Sequence, residues 1–326
     1  MARNELHIFV DLALPADALE TLRAGTKGHH LLFPRNPASS VLAKGELDPQ
    51  IRAADVAFGQ PDTEAIAEAA QLKWVHISSS GITRYDNPKF RAMAADRKIA
   101  VTNSASVYSE ACAVHVFSFI LAQARGLPGA LKSRAPNGSD AWHALRASCR
   151  RLRGETVLIL GYGEIGKRLA KLLLPLGLNV LAYRRKARGD EEVPVVTEPQ
   201  LADALNKADH VVDILPDSIE TRHFCNAVRF AAMKPGAIFY NIGRGITVDQ
   251  EALAAALQSG RIGAAWLDVT EPEPLPDGHP LLAEPNCFIT PHIAGGQPDE
   301  AKALVRHFLE NLDLFVRGAP LVDRVM

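Results

Sequence analysis

Three side chains of this sequence each follow directly on a run of strand-type apolar residues. Arg244 follows AIFYNIG in the turn GRG, Glu273 follows AAWLDV in TEPEPLP, and His292 follows CFIT in TPHIAGG. In an open α/β sheet, ligands bind outside the carboxyl ends of the strands, so all three can face one crevice. An arginine presents a planar fork of donors that suits a carboxylate, and a histidine passes a proton near neutral pH. A glutamate hydrogen-bonded to that histidine favours the charged ring and fixes its orientation. The trio suits reduction of a keto acid. Each residue alone has a plainer reading, as a surface ion-pair partner, a solvated loop acid or a ligand of backbone carbonyls.

A second constellation lies upstream. Between Thr156 and Ala170 the run TVLILG turns into GYGEIG and then into a helical pattern. Gly161 permits a tight turn, Gly163 lets a pyrophosphate approach the backbone, and Gly166 lets helix and strand pack closely. The helix start at Glu164 and Ile165 offers unpaired N–H groups to phosphates. Placed after a strand and before a helix, the motif reads as a dinucleotide site.

The elements that must carry these residues alternate in type. Before residue 104 the strand-like runs are LHIFVDL, VAFG, WVHIS and IAVTN, with helical patterns around Ala16 to Ala24 and Thr63 to Ala70. Tyr108 to Arg125 is a long apolar helix, and Gly126 to Ser139 reads as a surface stretch. A second unit follows with six strands, TVLILG, NVLAYR, HVVDILP, AIFYNIG, AAWLDV and CFITPH, and a helix at Asp249 to Gln258. The last helix, Asp299 to Val316, is expected to pack back on the first unit. Such alternation gives parallel sheets covered on both faces, hence an α/β fold with two doubly wound domains. One is discontinuous, 1–103 and 297–326; the other, 104–296, is inserted and carries the dinucleotide motif. Crossings at Asn103 to Val107 and Ile293 to Pro298 would act as hinges.

Composition limits the partners. The chain has 326 residues, with 36 Lys plus Arg against 37 Asp plus Glu. So balanced a chain sets up no field suited to nucleic acid. Asp11 divides the apolar N-terminal run, and no later stretch supplies some 18 uncharged apolar residues, so neither a signal peptide nor a membrane partner is expected. Cys112, Cys149, Cys225 and Cys287 lack metal or redox spacing and read as buried free thiols in a reducing, cytoplasmic compartment. His76, His115 and His143 read as ordinary histidines, and no metal site is expected.

GYGEIG, NIGRG, DVTEPEPLP and TPHIAGG, in this order and spacing, resemble the serial motifs of the D-isomer-specific 2-hydroxyacid dehydrogenases. The resemblance spans essentially the whole chain. It implies a flavodoxin-like substrate domain and a Rossmann dinucleotide-binding domain, with a homodimer as the assembly. It implies that Arg244 anchors a small 2-keto or 2-hydroxy acid, that His292 is the acid/base and that Glu273 is its partner. Backbone N–H groups of Ser78 to Gly81, with Ser79, Ser80 and Gly81 closing onto the substrate, would hold its carboxylate. By the same resemblance Asp268 holds the nicotinamide amide, Pro216 and Thr221 line the adenosine side, and the backbone at Ile242 and Gly295 touches the cofactor.

Family members that prefer NAD carry an acid at the end of the second strand of this domain. Here that strand reads NVLAYRRK, and Arg184 stands at the acidic position with Arg185 and Lys186 next. Guanidinium groups hold a 2′-phosphate that a carboxylate would repel, which favours NADP(H) over NAD(H). A solvated basic loop balanced by Glu191 and Glu192 is the plainer reading. With NADPH the expected direction is reduction of glyoxylate or hydroxypyruvate. The alternatives are an NAD-dependent D-2-hydroxyacid or phosphoglycerate-type dehydrogenase, disfavoured in its feedback-controlled form because no further domain follows Met326, and a corepressor-like nucleotide-sensing scaffold.

Overall fold

The computed structural model describes residues 5–326. They form two compact units, one running through Tyr108 and including Gln297–Met326, the other Ser109–Gly296.

The first unit is built on five parallel strands, β1 (His7–Asp11), β2 (His30–Leu32), β3 (Val56–Gly59), β4 (Trp74–Ile77) and β5 (Ala100–Thr102), in the order β2-β1-β3-β4-β5. That is the flavodoxin-like order. Helices cover both faces, so β3 and β4 are buried at every position. The sequence reading lacked β2, because three residues beginning with an exposed histidine carry no readable period. On one face the helix Glu300–Val316 stacks Phe308 on Phe58 and Trp74, with ring centroids 4.5 and 5.3 Å apart. His76 is a satisfied core residue, with Nδ1 2.7 Å from Thr102 Oγ1.

This unit extends past the expected edge at residue 103 because the helix Ala105–Ala124 begins inside it. The Asp323 carboxylate accepts from Ser106 N–H at 2.8 Å and Ser106 Oγ at 2.7 Å, and the Tyr108 hydroxyl donates to Glu300 Oε1 at 2.7 Å. A side chain 217 positions away thus supplies part of the cap that the helix start needs.

The second unit holds seven parallel strands: β6 (Thr156–Leu160), β7 (Asn179–Tyr183), β8 (Val195–Val196), β9 (His210–Asp213), β10 (Ala237–Asn241), β11 (Ile262–Leu267) and β12 (Cys287–Ile289). Their order is β12-β11-β10-β9-β6-β7-β8, and the direction of winding reverses between β6 and β9. The sequence reading found six of them; the two-residue β8 was too short to register. The helix Glu164–Leu173 follows β6 and buries Gly166, Leu169, Ala170 and Leu173, an i, i+3, i+4, i+7 stripe that lies on the sheet.

The 126–139 stretch is exposed in the main but contains a short helix, Leu127–Lys132, and Trp142 on the helix Asp140–Ala147 is half-buried beside the Arg146 guanidinium. All four cysteines are free; only Cys112 and Cys225 are buried, while Cys149 and Cys287 are half-buried. By length and composition alone the helix Ala105–Ala124 is long and apolar enough to cross a membrane, which the sequence reading did not expect. In the fold it covers a sheet: Gln123 accepts from Trp266 Nε1 at 2.8 Å, and Glu110 pairs with Arg168.

Candidate active site

The reversal of strand order in the second unit opens a crevice at the carboxyl ends of β6 and β9, and GYGEIG lies there. Gly161 has φ +96°, and a Cβ on it would stand 2.9 Å from the carbonyl oxygen of Ile214, just past β9. At Gly166 a Cβ would come within 2.6 Å of Gly161 O, so helix and loop touch backbone to backbone. Gly163 and Glu164 are exposed, Ile165 is half-buried, and a Cβ on Gly163 would meet no protein atom within 4 Å. That leaves room for a pyrophosphate over the N–H groups of the helix.

Past the ends of β10, β11 and β12 come the turns bearing Arg244, Glu273 and His292. Asn241 ends β10 and shapes the first: its Oδ1 accepts from Gly243 N–H at 2.8 Å and its Nδ2 donates to Arg244 O at 2.9 Å. Gly245 packs against the backbone of Thr270, where a Cβ would stand 2.0 Å from the carbonyl carbon. This locks the arginine turn to the glutamate loop. The Arg244 guanidinium uses one donor on Gly243 O at 2.6 Å; burial lowers its pKa, an effect opposed by Asp217 and Glu273.

Glu273 lies in a loop with cis bonds at Glu271–Pro272 and Glu273–Pro274. Its Oε1 accepts from Thr270 N–H at 3.0 Å, and its Oε2 lies 2.9 Å from His292 Nδ1. Burial alone would raise its pKa. The hydrogen bond from His292, the Thr270 N–H and the charge of Arg244 outweigh it, holding the carboxyl below the usual range. An ionised carboxylate can only accept, so Nδ1 carries the proton and Nε2 is the nitrogen left for chemistry.

His292 itself sits at φ 51°, a backbone region that favours glycine. Asp268, 1% exposed, over-determines that conformation. Its backbone carbonyl accepts from His292 N–H at 2.9 Å, and its carboxylate accepts from Ile293 N–H at 3.0 Å, Ala294 N–H at 2.8 Å and Thr290 Oγ1 at 2.6 Å. His115, an ordinary histidine by sequence, has Nε2 3.4 Å from Thr290 Oγ1 and 3.5 Å from Asp268 Oδ1. Burial lowers its pKa against the pull of Asp268. This clamp was missed: His115 sits in the middle of an apolar helix, and no local motif links it to the loop. Gly295 follows in the same loop.

Other sequence candidates are placed less directly. Thr221 closes its own turn, donating to Pro216 O at 2.6 Å, and Ile242 is buried with its N–H on Asp213 O. Arg185 is exposed, whereas Arg184 donates to Glu191 at 2.8 Å. In the first unit, Ser78 N–H donates to Gly59 O, and the carbonyls of Ser79 and Ser80 accept from Ser104 N–H and Asn103 Nδ2. The N–H groups of Ser79, Ser80 and Gly81 have no partner among the described residues.

Residues 117–294 match the family profile described as D-isomer specific 2-hydroxyacid dehydrogenase, NAD binding domain. The chain belongs to the D-isomer specific 2-hydroxyacid dehydrogenase family. Among relatives of this dehydrogenase is the human glyoxylate reductase/hydroxypyruvate reductase, 34% identical over 78% of this chain and 77% of that protein. Another is a glyoxylate reductase of Thermococcus gammatolerans, 31% identical over 95% and 93% of the two chains. A crystal structure of an NADPH-dependent glyoxylate/hydroxypyruvate reductase from Sinorhizobium meliloti, in complex with NADP and malonate, superposes with TM-score 0.73 at 26% identity, over 98% of this chain and 96% of that one. As a member of the family, the dehydrogenase is an oxidoreductase with an NAD-binding domain.

Proposed function

We propose that the enzyme reduces a small 2-keto acid of the glyoxylate or hydroxypyruvate type, with NADP(H) preferred over NAD(H). The observation that carries the reading is the His292–Glu273 pair, which presents a fixed imidazole nitrogen at the strand ends of a dinucleotide fold, with the half-buried Arg244 close enough to Glu273 to feel its charge. The relatives named glyoxylate reductase and the Sinorhizobium enzyme's NADP and malonate support the substrate and cofactor class.

The residues at the crevice fit a dinucleotide. Gly161, Gly163 and Gly166, with the N–H groups at Glu164 and Ile165, would hold the pyrophosphate; Pro216 and Thr221 would flank the adenosine; Ile242, Gly295 and the free capacity of Asp268 Oδ2 would meet the nicotinamide end. When bound, the cofactor supplies a hydride. The protein does the rest. Arg244 spans carboxylate and carbonyl with the guanidinium donors that Gly243 leaves unused, and the open N–H groups of Ser79, Ser80 and Gly81 are suited to a carboxylate. His292 Nε2 donates a proton to the carbonyl oxygen as negative charge develops there, and Glu273 stabilises the charged ring before transfer. Arg244 and His292 are held by hydrogen bonds within their own unit and meet charge that grows on the carbonyl oxygen, so they favour the transition state over the ground state. Oxidation of the hydroxy acid runs the same steps backwards.

Exposed Val114, Leu121, Leu127 and Leu131 support a homodimer through this segment, and four free thiols support a cytoplasmic location. Steady-state rates with glyoxylate, hydroxypyruvate, pyruvate and longer keto acids, each with NADPH and NADH, test the reading. The highest kcat/KM is expected with a two- or three-carbon acid and NADPH. Turnover of none of them would overturn it, and preference for NADH would overturn the cofactor part.

A further inference from the structure

We propose that Glu191 limits the enzyme's selectivity for NADP(H) by occupying, as an internal anion, the site that a 2′-phosphate would fill. The inference rests on the proposed binding of a dinucleotide at GYGEIG. Tyr183 ends β7 and its carbonyl accepts from Gly161 N–H at 3.2 Å, so Arg184 follows immediately beside the phosphate loop. Its backbone is fixed there, with its N–H on Val196 O at 3.1 Å.

The Arg184 guanidinium does not project freely. Nη1 donates to Glu191 Oε1 at 2.8 Å and lies 3.8 Å from Asp190 Oδ1. Glu191 Oε1 also accepts from Arg188 N–H at 2.8 Å, and Oε2 from Gly189 N–H at 2.8 Å. The two side chains are 12% and 4% exposed, unusual for charged groups in a surface loop. Arg185, Lys186 and Arg188, by contrast, are exposed. Nearby, burial raises the pKa of Tyr162, the second residue of GYGEIG, and the carboxylates of Glu192 and Glu191 raise it further, so the clasp borders the phosphate loop.

A guanidinium and two nearby backbone N–H groups converging on two oxygens form the donor set that phosphates take. Glu191 already fills it with a carboxylate. A 2′-phosphate must displace that carboxylate or sit against its charge, whereas a ribose 2′-hydroxyl can donate to it. Glu191 thus weakens the phosphate-bearing cofactor without weakening the other. Every residue from Arg185 to Asp190 is exposed, so displacing the carboxylate disturbs no packed core there.

The test is calorimetric binding of 2′,5′-ADP and 5′-AMP, which differ by the 2′-phosphate, to the wild type and to Glu191→Gln. Glu191→Gln is expected to tighten 2′,5′-ADP by about tenfold, the equivalent of roughly 1.4 kcal/mol, and to leave 5′-AMP within about twofold. In the Arg184→Gln/Glu191→Gln double variant the gain should vanish. An unchanged or reduced 2′,5′-ADP to 5′-AMP preference in Glu191→Gln overturns the proposal. If that variant fails to fold, Arg184→Gln alone decides: weaker 2′,5′-ADP binding supports the shared anion site, and unchanged binding overturns it. A wild type that prefers 5′-AMP would refute the NADP preference yet leave the effect of Glu191 readable, while binding of neither fragment to any variant would overturn both.

Discussion

Two loops of the second unit each pair a carboxylate with a base, and they do so to opposite effect. Beyond β11 and β12, Glu273 engages His292 through Nδ1, the nitrogen that the proposed proton transfer does not need, and so leaves Nε2 free and oriented. Beyond β7, Glu191 engages Arg184 through the guanidinium edge proposed for a 2′-phosphate. One carboxylate positions a functional group; the other occupies it. An acid beside a base is therefore informative only when the atom it takes is known. The two pairs should respond to neutralisation with opposite signs, a loss of turnover in the first and a gain in phosphate affinity in the second.

Besides removal of His292 itself, the largest expected effect is at Arg244. Arg244→Ala removes the donors proposed for both carboxylate and carbonyl, so kcat/KM should fall by roughly a thousandfold. Steady-state kinetics with glyoxylate check this, and a loss below tenfold would mean that the guanidinium serves only its own turn. Next is Glu273→Gln, which keeps the size of the side chain and removes its charge. A fall in kcat of about ten- to a hundredfold is expected, as for loss of one charged hydrogen bond. Steady-state kinetics read it, and an unchanged kcat would make the glutamate purely structural. The tenfold gain in 2′,5′-ADP binding expected of Glu191→Gln carries the opposite sign.

The smallest effect is on stability, at a third carboxyl that has no base. Asp213 ends β9 fully buried; Leu215 N–H and Thr247 Oγ1 donate to it, and Cys225 lies beside it. Burial pushes its pKa from 3.8 up to about 6. Between these values the unfolded chain has released this proton and the folded chain has kept it, so stability falls as pH rises from about 4 to about 6 and stays lower above. Asp213→Asn should thus be more stable relative to wild type at pH 7.5 than at pH 4.5, by on the order of 2 kcal/mol. Thermal unfolding at the two pH values reads it, and an equal difference at both would refute it.

The trio, the glycine loop and the parallel architecture were legible in the sequence because each follows from local order: an apolar run, a turn, then a polar residue. The parts that were not legible depend on distant or very short partners. His115 meets Thr290 across 175 positions, and the helix start at Ala105 is held by Asp323. Strands β2 and β8, of three and two residues, exist only through their pairing with β1 and β7. The basic run after Tyr183 showed four cations facing three carboxylates between 184 and 192, but not which carboxylate would claim Arg184. Loop geometry decided that, by aiming the N–H groups of Arg188 and Gly189 at Glu191.

That His292 supplies the proton without holding the cofactor is tested most directly by His292→Ala, with turnover of glyoxylate or hydroxypyruvate measured beside NADPH binding on the same preparation. The expected result is a fall in kcat of roughly a hundred- to ten-thousandfold, the usual contribution of general acid catalysis, with the NADPH dissociation constant changed by less than about threefold. Turnover equal to that of the wild type, with NADPH still bound, would contradict it.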